Sequence, residues 1–398
     1  MTRVGILVEP DFLTRHVGVR NYLLTLQHYL SRGADARFVS FFRPARHAPN
    51  WFRIHLRDAR FVRDNGIVDD WELSGTPREV FERHRAAATE SHADAPAVWY
   101  SQIGPRLDAA GFDTLVIGNP WLVDFHERLP VRRQVGIVYD AIPNRYCLTE
   151  AGKPFEFAHQ HVAGFRYFRR HCDATLGISE AVTEDLVRLF GFEPNQVGWF
   201  PPLVPVGCLD RAATVPARTR SVLLASPLDR RKGLAAMPRL VAAAGRSVDR
   251  LLMYGGVRCA PDELNAFFHA LPKRLPVTWY PRATAATTER LFRTAKLLVF
   301  PSLNEGLGLP LIEAQLRGCP AVTRDARPMS DLVVPGSRLL TDDPAADADI
   351  VRELVESDFD HAKMEADARA FFRTDELPGL VLRKILDEPA NPALRAAA

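Results

Sequence analysis

The sequence predicts an α/β protein made of two doubly wound, parallel-sheet domains in tandem. Three observations predict it. The chain has 398 residues, and domains run to about 100–200 residues each, so two is the natural count. Short β-rich apolar runs alternate with longer amphipathic ones, the pattern of parallel strands joined by crossover helices. The alternation breaks once, at 201–219 (PPLVPVGCLDRAATVPART), where four prolines without a hydrophobic period mark a linker, and then restarts.

In the first half, Val4–Val8 reads as a buried strand, Tyr22–Leu30 as the helix after it and Arg37–Phe42 as the next strand. Thr76-Pro77-Arg78-Glu79 is a capping box with proline at the first helical position, which predicts a helix toward Ala93. Asp113–Ile117, Gln134–Val138 and Ala174–Ile178 are further strands. Ser179 stands where an N-cap belongs, ahead of the helical pattern Glu180–Phe190. After the linker, Ser221–Ala225, Leu251–Tyr254, Val277–Tyr280, Leu297–Pro301 and Ala321–Thr323 read as strands. Helices over Leu234–Ala244, Pro261–Leu271 and Thr287–Ala295, and one starting at Pro310, alternate with them. Ligands of such sheets sit at the carboxyl ends of the strands. A cleft between two such domains is the expected site.

Composition narrows the function. Hydrophobic residues make up 47% and charged residues 25%, which excludes a disordered chain. Lys+Arg 51 against Asp+Glu 48 leaves +3, too little for a global attraction to nucleic acid. No apolar run approaches the roughly 20 residues of a membrane span, and the N-terminal MTRVGILVE is too short an apolar stretch for a signal peptide. Cys147, Cys172, Cys208, Cys259 and Cys319 form no C-x-x-C pair, so neither a zinc site nor a disulfide framework is indicated. A reducing, cytoplasmic setting is expected.

The most informative stretch is 298–320, LVFPSLNEGLGLPLIEAQLRGCP. A buried strand ends at Pro301-Ser302, a loop with Gly306 and Gly308 follows, and Pro310 suits the first turn of a helix. The loop gathers backbone N–H groups of Gly306, Leu307, Gly308 and Leu309 near a helix start, an arrangement suited to phosphate. The glycines let a ligand approach the backbone. Glu313, one turn into the helix, can accept two hydrogen bonds from vicinal ribose hydroxyls, and Glu305 lies where it can bond a sugar. The same carboxylates also read as a helix cap or a solvated face.

This stretch resembles glycosyltransferase family 4, the retaining, GT-B-fold glycosyl transferases group 1. The resemblance rests on Glu305-x7-Glu313 inside P-S-x-x-E-G-x-G-L-P-x-x-E-A-x-x-x-G-x-P. It extends to the helix and strand before it (TERLFRTAKLLVFPS), to Ser221–Gly233 (SVLLASPLDRRKG), to Val135–Pro143 (VGIVYDAIP), to Gly177-Ile178-Ser179 and to Gly18-Val19-Arg20-Asn21-Tyr22. It covers most of the chain from Arg3 to about Asp343 and is thin between Phe41 and Ala110. It implies a GT-B fold of two Rossmann-like domains facing across a cleft, and a nucleotide-diphosphate sugar as co-substrate rather than a separate cofactor. It also implies same-face transfer of a hexose to a glycan or lipid-linked glycan, as in surface polysaccharide biosynthesis. The family's diphosphate-binding lysine maps onto Lys232, with Arg231 beside it, although a lone R-R-K is also what a basic surface turn looks like. Lys232, Arg231 and Glu305 are the catalytic candidates. Glu313, Gly306, Leu307, Gly308, Leu309 and Ser226 are the donor-binding candidates. Gly18, Arg20, Asn21, Tyr139 and Asp140 are the acceptor-side candidates.

Two positions depart from the family. Ser226-Pro227-Leu228 stands where many members carry Gly-Arg-Leu, and Tyr139 stands where the family has His before Asp140. Tyrosine can donate a hydrogen bond but carries no positive charge. Asp347-Ala-Asp349 and Asp358-Phe-Asp360 match the letters of a metal clamp but lie in a polar, helical region, so no metal is expected. Residues 41–63 hold six Arg and two His against one Asp, interleaved with aromatics. They read as a face for an anionic membrane surface or lipid-linked acceptor, or as an Arg-rich solvated face. The expected domains are 1–200 for the acceptor, 201–220 as linker, 221–375 for the donor, and 376–398 as a tail returning to the first domain. Two alternatives stay open. One is a degenerate transferase serving as a nucleotide- or glycan-binding scaffold. The other is a nucleotide-sugar epimerase of the same architecture.

Overall fold

The computed structural model describes residues 1–8, 17–42, 51–57, 71–79, 98–99, 111–123, 128–149, 156–209 and 217–387. The chain divides into two compact units. Unit 1 comprises Met1–Gly66, His92–Leu203 and Asp375–Ala398; unit 2 comprises Ile67–Ser91 and Val204–Thr374.

In unit 1 an eight-stranded sheet has the order β5-β3-β2-β1-β6-β7-β8-β9. Six strands are parallel: β1 (Arg3–Val8), β2 (Asp35–Phe42), β6 (Thr114–Ile117), β7 (Arg133–Val138), β8 (Ala174–Gly177) and β9 (Val197–Trp199). Two antiparallel strands close one edge, β3 (Trp51–Arg57) on β2 and β5 (Val98–Trp99) on β3. The near-continuous apolar runs follow from burial on both faces. Ile6, for example, pairs with Phe38 on one side and Val116 on the other. The helices are α1 (Val17–Leu30), α2 (Ile142–Thr149), α3 (Glu156–His171) and α4 (Glu180–Phe190). Ser179 caps α4 by accepting from Val182 N at 3.3 Å, and Gly191 ends it in the left-handed region.

In unit 2 a seven-stranded sheet has the order β15-β14-β13-β10-β11-β12-β4. The parallel strands are β10 (Ser221–Ala225), β11 (Arg250–Tyr254), β12 (Val277–Arg282), β13 (Leu297–Phe300), β14 (Ala321–Arg324) and β15 (Arg338–Leu340). The helices are α5 (Met237–Ala243), α6 (Pro261–Ala270), α7 (Ala285–Thr294), α8 (Leu309–Gln315), α9 (Pro344–Glu356) and α10 (His361–Phe371). One side of the sheet packs Val222, Leu224, Leu251, Met253 and Trp279 against Phe267 and Phe268 of α6. The fully buried Trp279 keeps its indole N–H satisfied on Gly255 O at 2.9 Å.

One segment lies apart from the domain division read from the sequence. β4 (Trp71–Gly75) pairs antiparallel with β12 in unit 2 rather than with any strand of unit 1. Periodicity cannot show such pairing, because edge strands are chosen by register and not by hydrophobic pattern. The C-terminal segment belongs to unit 1. There α11 (Leu377–Leu382) packs on α1, and Arg133 Nε donates to Ile385 O at 2.7 Å. The predicted helix from Thr76 begins as read: Thr76 N donates to Glu79 Oε2 at 2.9 Å and 77–79 are helical. Its continuation toward Ala93 lies outside the described residues.

Candidate functional site

Strand order places the site in unit 2. β10, β11 and β12 run outward in one direction, and β13 returns to the other side of β10. The crevice beyond the carboxyl ends of β10 and β13 is therefore the topological switch point, where open α/β sheets bind ligands. Ser226 follows β10, and Pro301 to Glu305 follow β13.

The loop after β10 turns tightly. Asp229 Oδ1 accepts from Arg231 N at 2.8 Å, and Gly233 takes a left-handed conformation with φ +79. A Cβ on Gly233 would stand 2.1 Å from Pro301 O, so only glycine lets this loop lie against the one after β13. Leu303 N donates to Arg231 O at 2.7 Å and locks the two loops together.

Glu305 is the hub. Lys232 Nζ hydrogen-bonds its Oε1, and Ser302 Oγ donates to the same oxygen at 2.6 Å. Arg231 NH1 lies 3.4 Å from Oε2 and donates to Asn304 O at 2.6 Å. Burial alone would push the Glu305 carboxyl up. The charges of Lys232 and Arg231, with the bonds from Lys232 and Ser302, outweigh it and hold the group below the ordinary carboxylate range. Burial pulls the Lys232 ammonium down, against the attraction of Glu305. The sequence reading named Arg231, Lys232 and Glu305 as separate catalytic candidates but assigned no role to Ser302, whose place in P-S-x-x-E was the available signal.

Glu313 on α8 is different. It is 8% exposed, yet its carboxylate accepts no hydrogen bond or ion pair from the described residues. Burial pushes its carboxyl up to about 7, with Arg317 opposing and Glu289 reinforcing that push. The helix-cap reading therefore fails for Glu313; the backbone residue Gly308, at φ +105, occupies the N-cap position. Leu307 is buried, Gly306 and Gly308 flank it, and Leu309 starts α8. With only seven residues, α8 contributes little dipole, and any phosphate contact here falls to the loop N–H groups. Ser226 Oγ is buried with no hydrogen-bond partner among the described residues, a polar atom awaiting one.

In unit 1, Tyr139 at the end of β7 packs edge-on against Tyr22 of α1, ring centroids 5.6 Å apart. That contact gathers the acceptor-side candidates around one end of the sheet. Arg20 Nε and NH2 each donate to Asn21 Oδ1 at 3.2 Å, and Asp140 Oδ1 accepts from Ile142 N at 2.9 Å, holding the start of α2. Gly18 lies inside the first turn of α1, exposed and with nothing within 4 Å of an added Cβ, rather than in a turn ahead of the helix.

Three of the four aspartates of the Asp-x-Asp pairs do structural work. Asp347 accepts from Thr341 N at 2.7 Å, Asp349 pairs with Arg352 at 2.7 Å, and Asp360 caps α10. The side chains of the basic aromatic stretch 41–63 lie outside the described residues. No helix among the described residues is long and apolar enough to cross a membrane.

The two doubly wound sheets match solved structures over nearly their full length. The chain covers 97% of itself and 98% of Anabaena Alr3699/HepE, solved in complex with UDP and glucose, at 15% identity and a TM-score of 0.63. For WaaG, a glycosyltransferase involved in lipopolysaccharide biosynthesis, the coverage is 97% and 100%, with 15% identity and a TM-score of 0.61. This likeness, with the site at the switch point, defines a GT-B fold. Residues 222–357 match the family model of the glycosyl transferases group 1. Curated relatives agree. A D-inositol 3-phosphate glycosyltransferase of Xylanimonas cellulosilytica is 28% identical over 50% of this chain and 53% of its own length. One from Mycobacterium sp. (strain KMS) is 32% identical over 36% and 35%. The chain thus spans about half the length, or less, of the curated relatives it matches.

Proposed function

We propose that the protein is a retaining, metal-independent glycosyltransferase that moves a hexose from a nucleotide-diphosphate sugar to a glycan or lipid-linked glycan, in surface polysaccharide synthesis. The observation that carries this reading is the contrast between two carboxylates at one switch point. Glu305 is saturated by cations and a hydroxyl, whereas Glu313 is buried with both oxygens uncommitted. A largely buried carboxylate left unbonded by the described residues suits a ligand with paired hydroxyls, such as ribose.

The chemistry follows from the charges. Breaking the C1–O bond to a diphosphate builds negative charge on the leaving phosphate while the sugar becomes cation-like. Lys232 and Arg231 are fixed cations at that point, and the N–H groups of the 306–309 loop add to them, an account of the leaving group without a metal ion. On donor binding the diphosphate competes with Glu305 for Lys232, which frees a Glu305 oxygen for the sugar. The acceptor hydroxyl attacks from the face the phosphate leaves, and that phosphate takes its proton. Peripheral attachment to an anionic membrane surface through 41–63 is part of the proposal, as is a cytoplasmic location.

The test is thermal stability against a panel of nucleotides and nucleotide sugars, since a ligand of the native state raises the melting temperature by mass action. A shift with one nucleotide-diphosphate series selects the base. Product of retained anomeric configuration, seen by NMR, then fixes the reaction. Donor binding without transfer to any acceptor favours the scaffold reading, which Pro227 motivates by standing where the family's arginine would be.

A further inference from the structure

We propose that Arg317 is a positioning residue for the carboxylate of Glu313, held in that role by Glu289, Phe292 and the linker residue Cys208. The proposal rests on the donor reading above, in which Glu313 holds the ribose. Arg317 lies four residues beyond Glu313, in the turn that follows α8, and its side chain is 4% exposed. Its guanidinium is fixed in every direction. NH1 donates to Glu313 O at 2.9 Å and faces Cys208 Sγ at 2.9 Å; Nε pairs with Glu289; and the Cζ lies 5.3 Å over the Phe292 ring. Phe292 in turn meets the Tyr254 ring at the carboxyl end of β11, at 5.9 Å. So α7, α8 and the segment around Cys208 converge on one cation, with β11 behind Phe292.

The relation between Arg317 and Glu313 differs in kind from that between Lys232 and Glu305. Lys232 bonds a carboxylate oxygen. Arg317 bonds the backbone of Glu313 and leaves both carboxylate oxygens open, while its charge still favours their ionised form. The opposing groups are Glu289 of α7 and burial itself, with the Tyr254 phenol and the Cys208 thiol alongside, both kept neutral by burial. From α10, Glu365 and Arg369 pair with each other, Glu365 also meets Arg293, Arg369 donates to Cys208 O at 3.1 Å, and His361 Nδ1 bonds Gly318 O. These brace the cluster from behind. Of this group Arg317 is the cation whose charge offsets the burial of Glu313. An ionised Glu313 accepts hydroxyl protons through both oxygens; a protonated one must spend an oxygen as donor.

The experiment is calorimetric affinity of the full chain for UDP-glucose and GDP-mannose, whose diphosphates do not titrate between about pH 5.5 and about pH 8.5. The wild-type protein should bind one of them at least tenfold more tightly at the upper end than at the lower, with the step near neutrality. Glu313→Gln should bind weakly and without a step. Arg317→Met should move the step upward by a pH unit or more and approach wild-type affinity at the alkaline end, and Arg317→Lys should restore the step. If Arg317→Met does not fold, Glu289→Gln serves, and should move the step downward. Affinity lowered equally at every pH, with the step unmoved, assigns Arg317 a purely structural role and overturns the proposal. Binding of neither donor by the wild-type protein at any pH overturns the donor reading itself.

Discussion

The ammonium of Lys232 is hydrogen-bonded to Glu305 Oε1, and the two side chains are 11% and 10% exposed. A charge pair so buried gains little over an apolar substitute, but breaking it by removing one partner leaves an uncompensated charge, at a cost of about 3–5 kcal/mol. Lys232→Met and Glu305→Gln should therefore each lower stability. Each should also reduce kcat/KM by about 100-fold or more, the scale on which preorganised charge acts. The double variant should regain most of the stability and none of the turnover. Denaturant unfolding and initial rates on the same four proteins measure both. Wild-type turnover in either single variant would refute the catalytic assignment.

Two glycines separate backbone need from site chemistry. Gly233, at φ +79 with Pro301 O where its Cβ would be, cannot take alanine without moving the loop that carries Lys232. Gly233→Ala should cost at least about 1–3 kcal/mol and weaken donor binding. Gly18 has open space around it within helix α1, so Gly18→Ala should stabilise the protein by about 0.5–1 kcal/mol. If turnover nevertheless falls in Gly18→Ala, with stability raised, the backbone there meets a substrate; unchanged turnover leaves Gly18 an ordinary helix residue.

Much of this was legible in the sequence, for identifiable reasons. Parallel strands buried on both faces write themselves as apolar runs, so Val222 to Leu224 and Leu297 to Phe300 were readable, and so was the loop with Glu305 and Glu313 after the latter. Helix ends fixed by a side-chain cap, as at Ser179, were readable too. β4 was not, because an edge strand is assigned by a partner more than two hundred residues away in β12. Nor was the pairing of Lys232 with Glu305, since a loop sequence does not say which counter-charge its lysine meets. Arg317 lies four residues after Glu313, a helical spacing that signals proximity, but its engagement of Cys208 and Glu289 depends on packing among separate elements.

The proposed leaving-group account predicts indifference to chelators. Arg231 and Lys232 supply the positive charge, and three of the four aspartates of the Asp-x-Asp pairs, Asp347, Asp349 and Asp360, are spent on Thr341, Arg239, Arg352 and the cap of α10. Donor-induced thermal shift and turnover should be the same with EDTA as without it. A shift abolished by EDTA and restored by a divalent cation would keep the enzyme and overturn the role given to the two cations.

Glu313 should trade stability for binding. Its carboxyl, ordinarily at 4.5, is pushed up to about 7 in the folded protein, chiefly by burial. A folded state that holds a proton more tightly than the unfolded chain loses stability as pH rises between those values. The move corresponds to roughly 3 kcal/mol, present as a penalty at and above neutral pH and absent below about pH 4. Glu313→Gln removes the charge while keeping the shape. The ligand-free variant should therefore unfold at a higher temperature than the wild-type protein at about pH 8, and at nearly the same temperature at about pH 4.5. It should also lose most of its affinity for the nucleotide-sugar donor. Equal melting temperatures at both pH values would mean that the carboxylate is already compensated in the folded chain, and the unbonded, ligand-seeking role given to it would fall. A gain in stability with the affinity lost is what a site residue kept for its ligand at the fold's expense must show.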